Sequence, residues 1–583
     1  MIFLGINAYH ADSSAAIFIN GELVAAIEEE RFTRVKHWAG FPEKAIEFCL
    51  KEANIGFADV DQYAIGRDPK AKFLRKLLYL VKHARGSMST VRSRFNNARK
   101  VTSLEGELAK ISGLPVSAFA GKVKQVEHHR SHIASAFYAS GFDHAACLSI
   151  DGSGDFTTTM LAVGKGQEIT VLDSLDFPHS LGIFYSAFTQ LLGFPHYGDE
   201  YKVMGMAPYG KPTFVDQLNN AIHLTNDDGM FRLNLSYFRK GTDGLISYDE
   251  NNTPVVEPLY SRKMIGEFGP VRKKDEELTQ DHKDLAASVQ KKTENVILHI
   301  LDHLKKVTGL NNVCIAGGVA QNSVANGKIL SQTGFSKVYI PSAGHDAGIS
   351  MGAALYAQHQ VYKQPRIKAI LSAHTGSHFS NEEIIEFLES QNITFTRLKD
   401  DELYEKVVDC LTDGGVVGWF TGKAEFGPRA LGGRSILADP RRTDAKELLN
   451  EKIKRRESFR PFAPSILKEY VGEYFEYTDD VPFMEKVYPI KQGKRKEIPA
   501  VTHVDGTGRL QTVDRNISPR YYGLIEAFHK RTGIPILLNT SFNENEPIVN
   551  TPSEALNCYL RTSMDMLVLE NILINRKIPS LTS

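Results

Sequence analysis

The chain is 583 residues long, 42% hydrophobic and 24% charged, and its 69 Lys plus Arg balance its 69 Asp plus Glu. That length exceeds what one hydrophobic core holds, so at least two domains are expected; the even charge balance speaks against a nucleic-acid coat and against a membrane-surface protein. Cys49, Cys147, Cys314, Cys410 and Cys558 are scattered with no CxxC pair, which argues against a disulfide framework or a Cys-type zinc site and for a reducing, cytoplasmic setting. The start, MIFLGINAYH, lacks the basic and apolar regions of a signal peptide, and the apolar run 77–81 is too short to span a bilayer.

In chain order, an apolar strand Ile2–Ile6 leads into a polar loop Asn7–Ser14, a strand Ala15–Ile19, the turn Asn20-Gly21 and a strand Glu22–Ile27; Asn-Gly between apolar runs is a hairpin signal. Residues Arg67–Lys100 are basic with leucines at helical spacing, and read as an amphipathic helix with a solvated basic face, a docking surface for an acidic partner being the alternative. The first pattern then recurs: strand Ala145–Ile150, loop Asp151–Asp155, strand Phe156–Val163, turn Gly164–Gly166, strand Glu168–Leu175. Two such copies predict two related α/β lobes whose polar loops face one cleft, as in duplicated ATPases of the actin and sugar-kinase type. Two strand–turn–helix units follow. Asn312–Ala316 leads through Gly317-Gly318 to a helix from Ala320, and Lys337–Ile340 leads to a helix from about Asp346. Each aims a helix N-terminus at the cleft, a favourable place for phosphate. A polar, Pro- and Gly-punctuated linker near 361–380 precedes a second α/β domain that opens with a helix Asn381–Gln391. Near its end Thr551-Pro552-Ser553-Glu554 reads as a capping box.

His128 and His132 are four apart at the start of a predicted helix and so share one face, a half-site for a divalent metal. No Glu follows His128 to act as a zincin base. Asp151 at a strand end and Asp346 at a helix start complete a two-His, two-Asp set suited to Fe, Mn or Zn. His129 points elsewhere and reads as structural.

The segments GINAYHADSSAAIF, EEERFTRVKH, EHHRSHIASAF, SIDGSGD, KVMGMAPYG, GGVAQN and HDAGISMGAA resemble the N-terminal domain of the NodU/CmcH family of O-carbamoyltransferases. EFGPRALGGRSILADPR, KRRESFRPFAPSIL and NTSFNENEPIV resemble that family's second domain, and the likeness runs in order from residue 2 to about 575. It implies a duplicated ribonuclease-H-like (ASKHA, actin-like ATPase) domain over 1–362, with lobes of about 1–165 and 166–362, and a YrdC-like α/β domain over 375–583. It also implies a two-step reaction. The second domain makes carbamoyl-adenylate from carbamoyl phosphate and ATP, with Mg; the first passes the carbamoyl group to a hydroxyl of a small molecule. The family metal is iron or a similar divalent ion, and by motif it falls to His128, His132, Asp151 and Asp346.

Binding a small dianion beside a triphosphate needs fixed cations. Arg429 and Arg434 in a Gly-rich loop, Lys454 and Arg460 around KRRE, and Arg509 are the candidates, and the resemblance assigns Lys454 and Arg509 to carbamoyl phosphate. Asn539 and Asn543 either orient the carbamoyl amide or serve turn chemistry. In the first domain Gly317 and Gly318 let backbone approach the nucleotide, and Asn322 is the expected contact to adenosine or ribose. His10, Asp12 and Ser13 occupy the first polar loop, with His10 the general base because its unperturbed pKa lies near working pH.

Rival readings are a tRNA-carbamoylating enzyme of the threonylcarbamoyladenosine type, a sugar kinase and a non-catalytic nucleotide-binding relative. Net neutrality argues against the first, and the second domain has no role in the kinase reading. The expected partners are therefore carbamoyl phosphate, ATP and a small hydroxylated acceptor, with a homodimer allowed and no nucleic acid or membrane. The acceptor pocket is expected around His179–Tyr185, Tyr197–Tyr201 and Asp227–Phe238.

Overall fold

A computed structural model describes residues 1–82, 104–239 and 246–576. The chain divides into two units, Met1–Ile370 and Leu371–Ser583.

Unit 1 holds two five-stranded sheets. The first is built from β1 (Ile2–Asn7), β2 (Ser14–Ile19), β3 (Glu22–Glu28), β4 (Gln62–Ile65) and β5 (Val123–Gln125), in the order β3-β2-β1-β4-β5. β1 to β3 are antiparallel, and β4 and β5 run parallel to β1. Ile19 pairs with Glu22, so Asn20-Gly21 is a two-residue turn; both residues have positive φ (50° and 88°), the conformation that Asn and Gly tolerate. The second sheet is built from β6 (His144–Gly154), β7 (Thr157–Lys165), β8 (Glu168–Asp176), β9 (Asn312–Ala316) and β10 (Lys337–Tyr339), in the order β8-β7-β6-β9-β10. Again the first three are antiparallel and the last two parallel. One topology is laid down twice, as the repeated strand pattern implied.

Two details differ from expectation. The second sheet begins at His144, ahead of the lobe break expected near 165. The strand expected to stop at Ile150 runs on to Gly154 through an irregularity in its pairing, and the chain turns at Asp155-Phe156, both with positive φ. A bulge there lets a polar run stay in a buried strand and re-aims Asp151.

Six helices of this unit matter below: α1 (Glu43–Glu52), α2 (Phe73–Lys82), α3 (His128–Phe137), α4 (Leu181–Leu191), α5 (Gln280–Thr308) and α6 (Gly348–Leu355). Of the basic segment, 83–100 lies outside the described residues. α3 follows β5 and α6 follows β10, so they are equivalent in the repeat. Each packs on the sheet of the other copy, and they pack on each other. Glycine permits this approach: a Cβ at Gly352 of α6 would lie 1.9 Å from the Ser131 carbonyl of α3, and one at Gly5 of β1 1.8 Å from Ser350 O. The helix expected from Ala320 is a 3-10 turn, Gly318–Gln321, followed by a short helix Ser323–Asn326. No helix among the described residues is long and apolar enough to cross a membrane.

Unit 2 is one mixed nine-stranded sheet. Its strands are β11 (Thr396–Arg397), β12 (Val417–Phe420), β13 (Arg434–Ala438), β14 (Ala463–Leu467), β15 (Lys486–Pro489), β16 (Thr507–Val513), β17 (Ile536–Ser541), β18 (Met566–Leu569) and β19 (Ile572–Asn575). They run in the order β11-β19-β18-β12-β13-β17-β14-β16-β15. Helices Asn381–Ser390, Asp400–Thr412, Pro519–Thr532 and Pro552–Arg561 accompany it, and the core gathers around Trp419, Tyr488 and Phe542. Thr551 caps the last helix as expected, but Glu554 reaches back to the Asn550 N–H at 2.7 Å rather than to Thr551's own.

Candidate active site

α3 begins at Glu127, whose side chain accepts the Arg130 N–H and so caps the helix. His128 and His132, one turn apart, then face the end of β6, and Asp346 enters from the turn before α6. The ligand atoms of His128, His132, Asp151 and Asp346 all lie within 4.8 Å of one another, and all four residues are buried. His128 Nε2 is 3.1 Å from Asp151 Oδ2 and 3.7 Å from Asp346 Oδ1; His132 Nε2 is 3.6 Å and 3.3 Å from the same two oxygens. Both ring nitrogens of His132 and Asp346 Oδ1 are buried without a hydrogen-bond partner. Burial lowers the His132 pKa, but the two carboxylates outweigh it and push the imidazole up to about 9. Two imidazoles and two carboxylates converge on one buried point, and the carboxylates that favour a proton on His132 would equally favour a divalent ion in its place, so the four form a donor set able to hold one. His129 faces away, Nδ1 against Ser149 Oγ (2.7 Å) and Nε2 against Thr157 O (2.9 Å), in the structural role expected of it.

The glycines around this centre seat the ligands. A Cβ at Gly154 would lie 2.1 Å from the His128 ring. Gly318 N–H donates to Asp151 Oδ1 at 2.9 Å and leaves Oδ2 to the histidines. A Cβ at Gly317 (φ 102°) would lie 2.2 Å from Ile150 O. Gly317 and Gly318, expected at a nucleotide, are thus explained by close approach to β6 and Asp151. Asn322 caps the helix Ser323–Asn326, and its amide is bonded in both directions to Gln290 of α5 (3.0 Å each). Those bonds hold α5 to the 318–326 loop, so the side chain is engaged within the protein rather than held ready for a nucleoside.

The first polar loop does open on this centre. His10 Nδ1 lies 2.6 Å from Asp346 Oδ2, and its ring is 5.1 Å from that of His128. Burial lowers the His10 pKa, yet the Asp346 charge raises it above the usual histidine value. With Nδ1 on the carboxylate, Nε2 is the nitrogen left to take a proton. Ser13 turns away: its hydroxyl meets the carbonyls of His10 (3.1 Å) and Gly40 (2.9 Å), pinning the loop instead of reaching a ligand. Asp12 (φ 58°) pairs with His37 Nδ1 at 2.8 Å; burial raises the carboxylate, and the His37 charge more than reverses this. His37, which sequence reasoning passed over inside EEERFTRVKH, also donates its main-chain N–H to Glu30 Oε2 (2.9 Å) and meets the Tyr197 ring edge-on at 5.1 Å. Tyr197 belongs to a segment expected to line the acceptor pocket. Asp227–Phe238 packs at His179, whose Nδ1 accepts the Leu233 N–H.

In unit 2 the candidate cations part company. Arg509 is half-buried; burial, then the fields of Arg429, Arg456 and Arg460, hold its guanidinium well below the usual value. Like charges gathered in this way mark a place for an anion. Arg456, not picked out from the sequence, rests over the Phe462 ring. Arg434 lies elsewhere. It is fully buried over the Phe420 ring, and its guanidinium donates to the carbonyls of Ser377, Thr421, Gly422 and Gly433. It builds the loop rather than binding phosphate. Lys454, also buried, donates to Ser541 O, Asn543 O (2.8 Å) and Asn543 Oδ1 (2.7 Å). Asn543 is thereby held in turn chemistry. Asn539 Nδ2 meets Ala430 O, Ser465 Oγ and Gln511 Oε1, while its Oδ1 is buried without a partner.

Residues 2–355 match a family model described as carbamoyltransferase N-terminus, and residues 408–576 one described as carbamoyltransferase C-terminus. An uncharacterized protein of Synechocystis sp. is 42% identical over 98% of this chain and 96% of its own. The nodulation protein NolNO of Sinorhizobium fredii is 38% identical over 98% of this chain and 80% of its own. An uncharacterized protein of Methanocaldococcus jannaschii is 30% identical, over 99% and 100%.

Proposed function

The chain belongs to the carbamoyltransferase family, and from that premise we propose that this carbamoyltransferase divides its reaction between two centres, an adenylating one in unit 2 and a transfer one in unit 1. Unit 1 is then an ASKHA-type domain, a reading its twice-used sheet topology supports, and unit 2 a YrdC-like domain.

In unit 2, Arg429, Arg456, Arg460 and Arg509 bind the phosphates of carbamoyl phosphate and ATP. Hydrolysis of carbamoyl phosphate yields carbamate and phosphate. A carbamate oxygen attacks the α-phosphorus of ATP, pyrophosphate leaves, and carbamoyl-adenylate forms. In unit 1 the hydroxyl oxygen of a small acceptor attacks the carbamoyl carbon, the bond from that carbon to the AMP phosphate oxygen breaks, and AMP leaves. His10 Nε2 takes the hydroxyl proton, with Asp346 holding Nδ1 and stabilising the imidazolium that results. His128, His132, Asp151 and Asp346 hold a divalent metal, which when bound supplies Lewis-acid polarisation of the carbamoyl carbonyl or a grip on the nucleotide phosphate. The Asp12–His37 ion pair and the Tyr197 ring border the acceptor's place.

The observation that carries this reading is that one carboxylate, Asp346, faces the buried donor set with one oxygen and His10 with the other. Incubating the protein with ATP, carbamoyl phosphate and a panel of hydroxylated metabolites tests it through the nucleotide product. AMP and pyrophosphate are expected; ADP would mean a kinase.

A further inference from the structure

Helix α2 turns an apolar face outward. Phe73, Leu74, Leu77 and Leu78 are 63%, 73%, 47% and 70% exposed, and at positions i, i+1, i+4 and i+5 they lie side by side on one face. The helix is held from beneath: Tyr79 packs edge-on against Phe156 and Phe177, each at 5.6 Å, Lys72 reaches Ser174 and Asp176, and Arg75 shares Asp176. From the sequence the basic face was expected in water and the chain-wide charge balance spoke against a membrane surface; instead the leucines are displayed, and the balance of the whole chain conceals a local basic patch. A contiguous group of four large apolar side chains on a surface marks an interaction site.

Charge selects the partner. Residues 67–79 carry five Lys or Arg against one Asp. Lys70 is exposed, and the Arg75 side chain is 64% exposed even while it shares one carboxylate with Lys72. A second copy of the helix would set cations against cations. An anionic bilayer surface suits both features, because acyl chains accept the leucines while headgroup phosphates take the cations.

We propose that α2 is an interfacial anchor that lies flat in the surface of an anionic lipid bilayer, with Phe73, Leu74, Leu77 and Leu78 below the headgroups and Lys70 and Arg75 at their level. The anchor is tied to the transfer centre. The Asp155 carboxylate accepts the main-chain N–H of Asp68 (2.7 Å) and of His128 (3.1 Å), and Arg67 donates to Tyr9 O (2.9 Å). Docking therefore brings the bilayer to the side of unit 1 on which His10 and His128 sit.

Co-sedimentation of the full chain with phosphatidylcholine vesicles, with and without phosphatidylglycerol, tests this; it requires no turnover, so the reaction proposed above is not at stake. The expected result is binding to the phosphatidylglycerol vesicles alone, weakened by salt and at least about tenfold weaker for both Leu74→Glu/Leu78→Glu and Lys70→Glu/Arg75→Glu. These positions are exposed, and unchanged thermal midpoints would verify that the variants fold. Absence of vesicle binding would overturn the proposal, as would equal binding by the Leu74→Glu/Leu78→Glu variant. So would a wild-type dimer, dissociated by Leu78→Glu, that ignores vesicles.

Discussion

Asp151 and Asp346 each divide their two oxygens between the donor set and a neighbour that orients them. Asp151 gives Oδ1 to the Gly318 N–H and Asp346 gives Oδ2 to His10, so both present one oxygen to the histidine pair. Such outer contacts fix ligand geometry in metal sites. His132→Ala should therefore remove the metal without touching His10. Metal analysis of the purified proteins should find a divalent ion in the wild type and little in the variant, and a chelator should lower the thermal midpoint of the wild type alone. Equal metal contents would end the ligand assignment. At this scale the sequence was readable where spacing encodes geometry, as in the one-turn separation of His128 and His132. It was unreadable where a charge's partner lies far along the chain. Lys454 reads as a phosphate ligand until Ser541 and Asn543 are seen beside it, and Arg434 until its four carbonyls are. The Asp12–His37 pair depends on a left-handed backbone at Asp12 and at His37 (φ 58° and 56°) that no periodicity signals.

At the scale of elements, α3 and α6 are equivalent helices of a repeat whose close contact joins the two copies, and the His pair and Asp346 meet because of it. The repeat itself was legible, since strand alternation and Asn20-Gly21 are local signals; the bulge that aims Asp151 was not, because it follows from pairing with β7. Gly318 is the point where β9 leans on that bulge. In Gly318→Ala the new Cβ would come 2.7 Å from Asp151 Oδ1, so the carboxylate must move. We expect ~1–3 kcal/mol lower stability and weaker metal retention, measured by denaturation and dialysis; full retention would show that Asp151 is not held from there. After α6 the chain passes His359, fully buried, with Nδ1 on Gln364 O at 3.0 Å and Nε2 without a partner. Burial lowers its pKa to about 4. The unfolded chain then binds a proton below about pH 6.5 that the folded chain refuses until about pH 4. This contribution is present at neutral pH and is lost as pH falls through that window. His359→Gln should flatten the stability profile between those limits, and an unchanged slope would contradict the assignment.

At the scale of the whole molecule the two units gather different side chains: clustered guanidiniums in one, imidazoles and carboxylates in the other. Length and the linker made two domains legible. The outward-facing leucines of α2 were hidden, because a helical pattern shows that an apolar face exists and not which way it points. The division of labour is tested most directly by assaying each half-reaction in Arg509→Ala and His10→Asn. Arg509→Ala should lose acceptor-independent pyrophosphate release from ATP and carbamoyl phosphate by at least about tenfold, as removal of a charged phosphate partner implies, while still transferring from supplied carbamoyl-adenylate. His10→Asn should release pyrophosphate normally and transfer ~10²–10⁴-fold more slowly. Loss of both half-reactions in either variant, or of neither in both, would contradict the two-centre account.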